Sequence, residues 1–231
     1  MIHQLIFAYP KPGLTEQDFH RYWIDVHATR YASKIPHIQQ YSVGTRIPLP
    51  GETGDPRWCG VAEIWLPDEE RQLASLQTPE FLDGARADEP RWAAFWRTLG
   101  LDTDPHIVLP GPPRTEQVSE AKLFLLTKRR EGMPLAEFRE RSRRRHAGVA
   151  LQVPGLIRYR QGFTRDPLYA VGEAPLDCVY QFSFTDVPAL RTALRSPEFH
   201  RVHEDLGTFT NPRYVHTFAA RENWITGPSF V

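Results

Sequence analysis

Two stretches of this chain carry the same landmarks in the same order, and that repetition limits the fold before any local pattern does. The first reads Phe19-x-x-Tyr22-Trp23-x-x-x-His27-Ala28; the second has Phe138 and His146-Ala147 at a constant offset of 119 positions. Behind each histidine come a proline and a Tyr-x-x-Gly: Pro36 with Tyr41 and Gly44, then Pro154 with Tyr159 and Gly162. Further on, Thr78-Pro79-Glu80-Phe81 is echoed by Ser196-Pro197-Glu198-Phe199. An internal repeat of this kind implies two copies of one structural unit. The expected units are residues 1–110 and 119–231, with a linker over 110–119 that holds Pro110, Pro112 and Pro113.

Each half opens on a short apolar run, Leu5 to Tyr9 and Leu123 to Leu126, followed by a glycine turn at Gly13 and Gly132. A helix comes next. Thr15 with Asp18 resembles a capping box, and Pro134 suits the first turn of the second copy. Phe19, Tyr22, Trp23, Val26 and Arg30 follow the spacing of one helical face, which also holds His27. Phe138, Ser142, His146, Val149 and Ala150 are the equivalent set. Strands are expected around Tyr41 to Thr45 and Arg158 to Phe163, then over Val61 to Leu66 and Val179 to Phe184. A second helix should run from near Asp68 and Asp186 through the repeated Pro-Glu-Phe, with final strands at His106 to Leu109 and Tyr214 to Ala219. Each half therefore reads β-α-β-β-α-β, a ferredoxin-like unit of the α+β class.

Composition excludes several classes of function. The chain is 41% hydrophobic and 24% charged, with a formal net charge of zero, which suits a water-soluble globular protein. Arg139, Arg141, Arg143, Arg144 and Arg145 wrap around a helix beside Glu137 and Glu140, so no nucleic-acid partner is expected. Two cysteines, Cys59 and Cys178, make neither a disulfide framework nor a zinc site. The early apolar run is too short for a signal peptide or a membrane span, which points to the cytoplasm. His200-x-x-His203-Glu204 has two imidazoles on one helical face but no third ligand, so no metal is expected.

Phe19-x-x-Tyr22-Trp23-x-x-x-His27-Ala28 with Pro36 and Tyr41, and Gly132, Phe138, His146-Ala147, Pro154-Gly155 and Tyr159 in the second half, resemble the EthD family of the dimeric α/β-barrel superfamily. That superfamily includes cofactor-free monooxygenases, polyketide cyclases, lactone isomerases and dehydratases. The resemblance implies two tandem ferredoxin-like βαββαβ units whose sheets pair face to face as an intramolecular α/β barrel, a pseudo-dimer that could associate further as a homodimer. It also implies a pocket between each sheet and its own helices, with His27 and His146 beside a small hydrophobic or aromatic substrate. Cofactors are not required, although haem bound through a histidine is known in the superfamily.

Imidazole titrates near neutrality, so His27 or His146 could move protons at working pH. A phenol, Tyr41 or Tyr159, could donate to a developing oxyanion. Tyr22, Trp23, Trp65 and, in the second copy, Ser142 and Tyr180 are the expected binding positions. Asp88 stands four before Trp92 and Asp205 four before Phe209, so each could orient its histidine. Glu63, on an otherwise apolar strand face, needs a partner or a raised pKa, and Gln181 is its counterpart. Arg141 or Arg145 could meet an anionic group. The two pockets cannot be equivalent, because Ser142 replaces Trp23, and the first is the favoured one. Cyclisation, dehydration or isomerisation is the expected chemistry. A binding protein whose histidines are satisfied by backbone carbonyls, and a cofactor-free or haem-dependent oxygenase, stand as the other readings.

Overall fold

Apolar runs become strands and periodic stretches become helices, in one order that occurs twice. The computed structural model describes residues 1–113 and 119–227. Of these, the first unit takes residues 1–102, 119 and 220–227, and the second takes 103–113 and 120–219. Residues 114–118, most of the expected linker, lie outside the described residues.

The first unit contains β1 (Ile2–Ala8), α1 (Glu16–Tyr22) with a π-helical continuation (Trp23–Tyr31), β2 (Gln40–Arg46) and β3 (Gly60–Leu66). It continues with α2 (Glu69–Ser75), a second π-helical stretch (Glu80–Ala85) running into α3 (Arg86–Asp88), and the start of β4 (Leu99–Leu109). The second unit repeats the order: β5 (Ala121–Arg129), α4 (Leu135–Arg141), a π-helical turn (Ser142–His146), α5 (Ala147–Ala150), β6 (Arg158–Thr164) and β7 (Cys178–Phe184). Then come α6 (Val187–Leu194), α7 (Pro197–Gly207) and β8 (Thr210–Thr226). Each half is the expected βαββαβ unit, and the class is α+β.

In the first unit β3 lies between β1 and β2, all antiparallel, with Glu63 opposite both Leu5 and Ser42. In the second, β7 lies between β5 and β6 in the same way. The last strand of each half is longer than its apolar pattern suggests, 11 residues for β4 and 17 for β8. The far end of β8 pairs with β2 in the first unit, and the far end of β4 pairs with β6 in the second. Asp102, Asp104 and Pro105 interrupt the alternation in β4, as Pro212, Arg213, Arg221 and Glu222 do in β8. Only the apolar C-terminal end of β4, His106 to Leu109, and the middle of β8, Tyr214 to Ala219, were therefore visible to a period-two reading.

Local signals fix the helix ends. The Thr15 hydroxyl accepts the Asp18 N–H at 3.1 Å, and the Asp68 and Asp186 carboxylates cap α2 and α6. Pro134 precedes α4 as its cap residue rather than sitting inside the first turn. The second helix of each half is not continuous as expected. It breaks at Thr78-Pro79 and at Ser196-Pro197, because proline lacks an N–H and crowds the preceding turn. The Ser196 hydroxyl then caps α7 by accepting the Phe199 N–H at 3.2 Å. Among the described residues, no helix is long and apolar enough to cross a membrane.

Gly60 and Trp23 set the distance between α1 and the sheet. A Cβ at position 60 would sit 2.6 Å from the Trp23 ring, which is itself buried. Gly60→Ala should therefore lower the unfolding free energy by ~1–3 kcal/mol through overpacking, read as a lower urea midpoint. Gly148, helical with nothing within 4 Å of an added Cβ, is the control: its alanine variant should be neutral or gain up to ~1 kcal/mol.

Candidate active site

Side chains alternate across a strand, so register decides which residues can meet the histidines. Ala62, Ile64 and Leu66 of β3, Gln4, Ile6 and Ala8 of β1, and Tyr41 of β2 face the helices and join Trp23 and His27 around a cavity. Glu63 and Trp65 point the other way. There the Glu63 carboxylate meets His3 Nε2 at 3.1 Å, and the His3 ring stacks on Trp65 with centroids 4.0 Å apart. In the second unit Tyr180 faces the helices through Ser142, so its neighbour Gln181 faces away. The expectation that Glu63, Trp65 and Gln181 line the histidine pockets is thus corrected by one residue of strand phase.

Both histidines sit where the first helix loosens from α to π winding, with i→i+5 hydrogen bonding. This shifts the buried face: Phe19, Trp23, His27 and Ala28 are buried, whereas Val26 is half-buried and Arg30 exposed. His27 Nδ1 lies 3.0 Å from Asp88 Oδ2, and His146 Nδ1 lies 2.9 Å from Asp205 Oδ2. A carboxylate only accepts, so Nδ1 carries the proton when the ring is neutral, and Nε2 is left as the basic nitrogen. Each carboxylate has further support from equivalent positions. The Tyr22 phenol donates to Asp88 Oδ1 at 2.8 Å, while the Arg141 guanidinium stands 3.6 Å from Asp205 Oδ1. Arg145, expected to contact substrate, is exposed and stands 3.3 Å from the same Asp205 oxygen.

The first-unit cavity encloses about 100 Å3. Its walls are mainly apolar: Ile6, Ile35, Ile64, Phe81, Trp92 and Phe95 are among them. The His27 ring packs on Trp92 with centroids 4.6 Å apart. Burial lowers the His27 pKa below 6.5, and the hydrogen bond and charge of Asp88 oppose that shift. Burial raises the Tyr41 phenol well above its ordinary value, so it stays protonated; its oxygen accepts the Trp23 indole N–H at 3.3 Å. Tyr22 lies on Asp88 rather than in the cavity wall. Sequence reasoning missed Gln4, Gln72 and Glu89, which also line the cavity. Both glutamines donate to Asp102, at 2.9 Å each. Gln4 was legible as the lone polar residue between Ile2 and Ile6 on its face; nothing in the local pattern marked Glu89.

The second unit fills the same space. Ser142 gives up the volume of Trp23, and Tyr180, standing where the first unit has Ala62, takes it; their oxygens are 2.7 Å apart. Gln161 donates to the Ser142 carbonyl at 2.7 Å and to the Tyr159 phenol at 3.2 Å. His146 is fully buried between Tyr180 and Phe209, with ring centroids at 4.6 and 5.6 Å. Its Nε2 meets no hydrogen-bond partner among the described residues. His200 and His203 lie on α7, where His203 packs against Phe199.

A family model for the EthD domain matches twice, over residues 11–95 and 130–213. No curated protein matches the chain. Among solved structures it is similar in fold to an anthrone oxidase-like protein, at 8% identity and a TM-score of 0.66, covering 98% of this chain and 93% of that one. A provisionally named monooxygenase from Fusobacterium nucleatum subsp. nucleatum is similar at 9% identity and a TM-score of 0.60, covering 97% and 92%. Another, from Lactobacillus acidophilus NCFM, is similar at 11% identity and a TM-score of 0.55, covering 97% and 94%.

Burial holds His146 below the 6.5 to which it returns in the unfolded chain, with Asp205 opposing. Just below 6.5 the unfolded chain therefore binds more protons than the folded one. The contribution of the neutral ring is full above that value and is lost as pH falls through the folded pKa. Unfolding free energy should decline from neutral pH toward about pH 5, with a shallower slope in His146→Gln. Urea titrations at fixed ionic strength check this, and an unchanged slope in the variant would contradict it.

Proposed function

The chain belongs to the EthD domain family, and on that premise we propose that its first unit is an enzyme active site for small aromatic or polyketide-like compounds. His27 is its general acid–base group, working without a bound cofactor. One observation carries this reading: His27 has Nδ1 tied to a buried carboxylate while its ring opens onto an apolar cavity. Asp88 fixes the tautomer, and burial keeps the ring neutral at working pH, so Nε2 can take a proton from a carbon next to a carbonyl. The Tyr41 phenol keeps an O–H to donate to the carbonyl oxygen as negative charge builds there. The Trp92 indole N–H, buried without an acceptor among the described residues, is a second donor in the same wall. Cyclisation, dehydration and isomerisation all begin with this proton removal.

A second reading follows from what proteins of similar fold are called, an anthrone oxidase-like protein and monooxygenases. The same base would deprotonate a phenolic or benzylic position, and molecular oxygen would oxidise the carbanion. Oxygen uptake separates the two: elimination or cyclisation consumes none.

On a panel of β-hydroxy ketones and hydroxylated anthrones, followed by mass spectrometry with an oxygen electrode, His27→Ala should lower kcat/KM by at least ~100-fold while remaining folded. His146→Gln should stay within about threefold of the parent. Asp88 raises the His27 pKa, so Asp88→Asn should move the acid limb of the kcat/KM profile to lower pH. Full activity in His27→Ala would sink the mechanism.

A further inference from the structure

Resting on the reading of His27 as the cavity base, we propose that Glu89 is a second proton-transfer residue of the same cavity. It is the acid that protonates a departing hydroxyl, and the substrate class is β-hydroxy carbonyl compounds, which lose water. Glu89 lines the cavity together with His27. It directly follows Asp88, the carboxylate that holds the imidazole, so the two backbones are one peptide unit apart. The Glu89 carbonyl accepts the N–H groups of Trp92 and Ala93, at 3.2 and 3.0 Å, which anchors it in the wall that touches His27. Among the described residues, no hydrogen-bond or ion-pair partner meets its carboxyl group. A carboxyl group left without a partner against apolar walls is costly when ionised.

The duplicate half supplies an independent comparison. Asp88 corresponds to Asp205, so Glu89 corresponds to Leu206, which is buried. The copy whose cavity is filled carries leucine at this position, so the fold itself does not call for a carboxyl group there. Glu89 goes with the cavity.

Titration supports the division of labour. Burial lifts the Glu89 carboxyl to about 7, with the Asp88 charge adding and the Arg86 charge opposing. His27 is shifted the other way by the same loss of water. Near neutrality the imidazole is therefore a free base while a large share of the carboxyl is protonated, and opposed shifts of this kind mark an acid and a base. Among the described residues, Asp88 and Arg86 are the charged groups that act on Glu89, and His27 and Tyr41 are the other titratable groups that line its cavity. In the reaction, His27 Nε2 removes the proton from the α carbon. The C–H electron pair becomes the C=C bond as the β C–O bond breaks. The leaving oxygen takes the Glu89 proton and departs as water. The proton on His27 then returns through solvent to the Glu89 carboxylate, and no oxidant or reductant is consumed.

Two probe compounds separate the acid from the base in the full chain. 4-Hydroxy-4-phenylbutan-2-one needs both, because hydroxide is a poor leaving group; 5-nitrobenzisoxazole needs only a base, because it expels a stable phenolate. Glu89→Gln should lower elimination of water from the ketone by ~100-fold and leave benzisoxazole opening within about threefold. His27→Gln should abolish both. Infrared difference spectra should contain a protonated carboxyl band that titrates near neutral pH in the parent and is missing in Glu89→Gln. Equal losses on both probes in Glu89→Gln, no loss on either, or no such band would overturn the role of Glu89 while leaving His27 standing. Both activities surviving in His27→Gln would instead overturn the reading on which it rests. A parent chain that eliminates neither compound overturns the proposal outright.

Discussion

The hydrogen bond between an imidazole on the first helix and a carboxylate near the end of the second is the interaction on which both units depend. It occurs at 3.0 Å between His27 and Asp88 and at 2.9 Å between His146 and Asp205. Both partners are buried in each half, where losing either one would leave the other uncompensated in a low dielectric. The bond therefore joins two helical segments that share no local signal, and it fixes which ring nitrogen is basic. The residue five positions before each histidine reinforces it by different chemistry, a neutral phenol at Tyr22 and a cation at Arg141. The geometry of the carboxylate has been kept while the group at that helix position has changed, and Asp88 finds its cation elsewhere, in Arg91 at 3.6 Å from Oδ1.

Around that constant element the two copies exchange volume. Trp23 and Ala62 in one half become Ser142 and Tyr180 in the other, and Ile64 becomes Phe182. Gln4 corresponds to Leu123 by register, since Ile2 and Ala121 pair at the same point of their respective neighbours. Moving bulk from helix to strand leaves the first unit with space between sheet and helices and gives the second a filled core. His146 shows what filling costs. Among the described residues its Nε2 is buried without a partner, a penalty on the order of 1–3 kcal/mol, offset by close contact with Tyr180 and Phe209. The same nitrogen of His27 belongs to a ring that lines open space. A shared dyad thus packs between aromatic rings in one copy and borders a cavity in the other.

How far the sequence was legible follows from the range of each interaction. The duplication, the caps at Thr15, Asp68 and Asp186, and the strands β2 and β3 were readable because their signals are local. Asp88 and Asp205 were readable because the repeat placed them at matching offsets. The strand phase of Glu63 and Trp65 was not. It rests on pairing with β1 and β2, and one step along a strand reverses the face. The lengths of β4 and β8 were hidden because strand ends rich in charge and proline look like loop. The loosening of α1 into π winding was hidden as well, since Val26 and Arg30 fit a 3.6-residue face that the helix abandons at Trp23. Glu89 carried no mark at all: an acidic residue beside another acidic residue on a polar segment reads as solvated surface.

The cavity gives that unremarkable glutamate its meaning, because removal of water acts oppositely on the two kinds of titratable group. Desolvation disfavours whichever form is charged. For imidazole that is the acid form, so His27 is shifted down; for a carboxyl group it is the base form, so Glu89 is shifted up. A single apolar enclosure therefore shifts an imidazole and a carboxyl group in opposite directions at once. The Asp88 charge raises both pKa values together, so it opposes the effect of burial at His27 and adds to it at Glu89. Filling the enclosure with an aromatic ring, as Tyr180 does in the second unit, removes the place for a substrate and leaves no use for the acid; leucine stands there instead. Volume between sheet and helices, more than any one side chain, distinguishes the two halves, and the proposed chemistry rests on that volume.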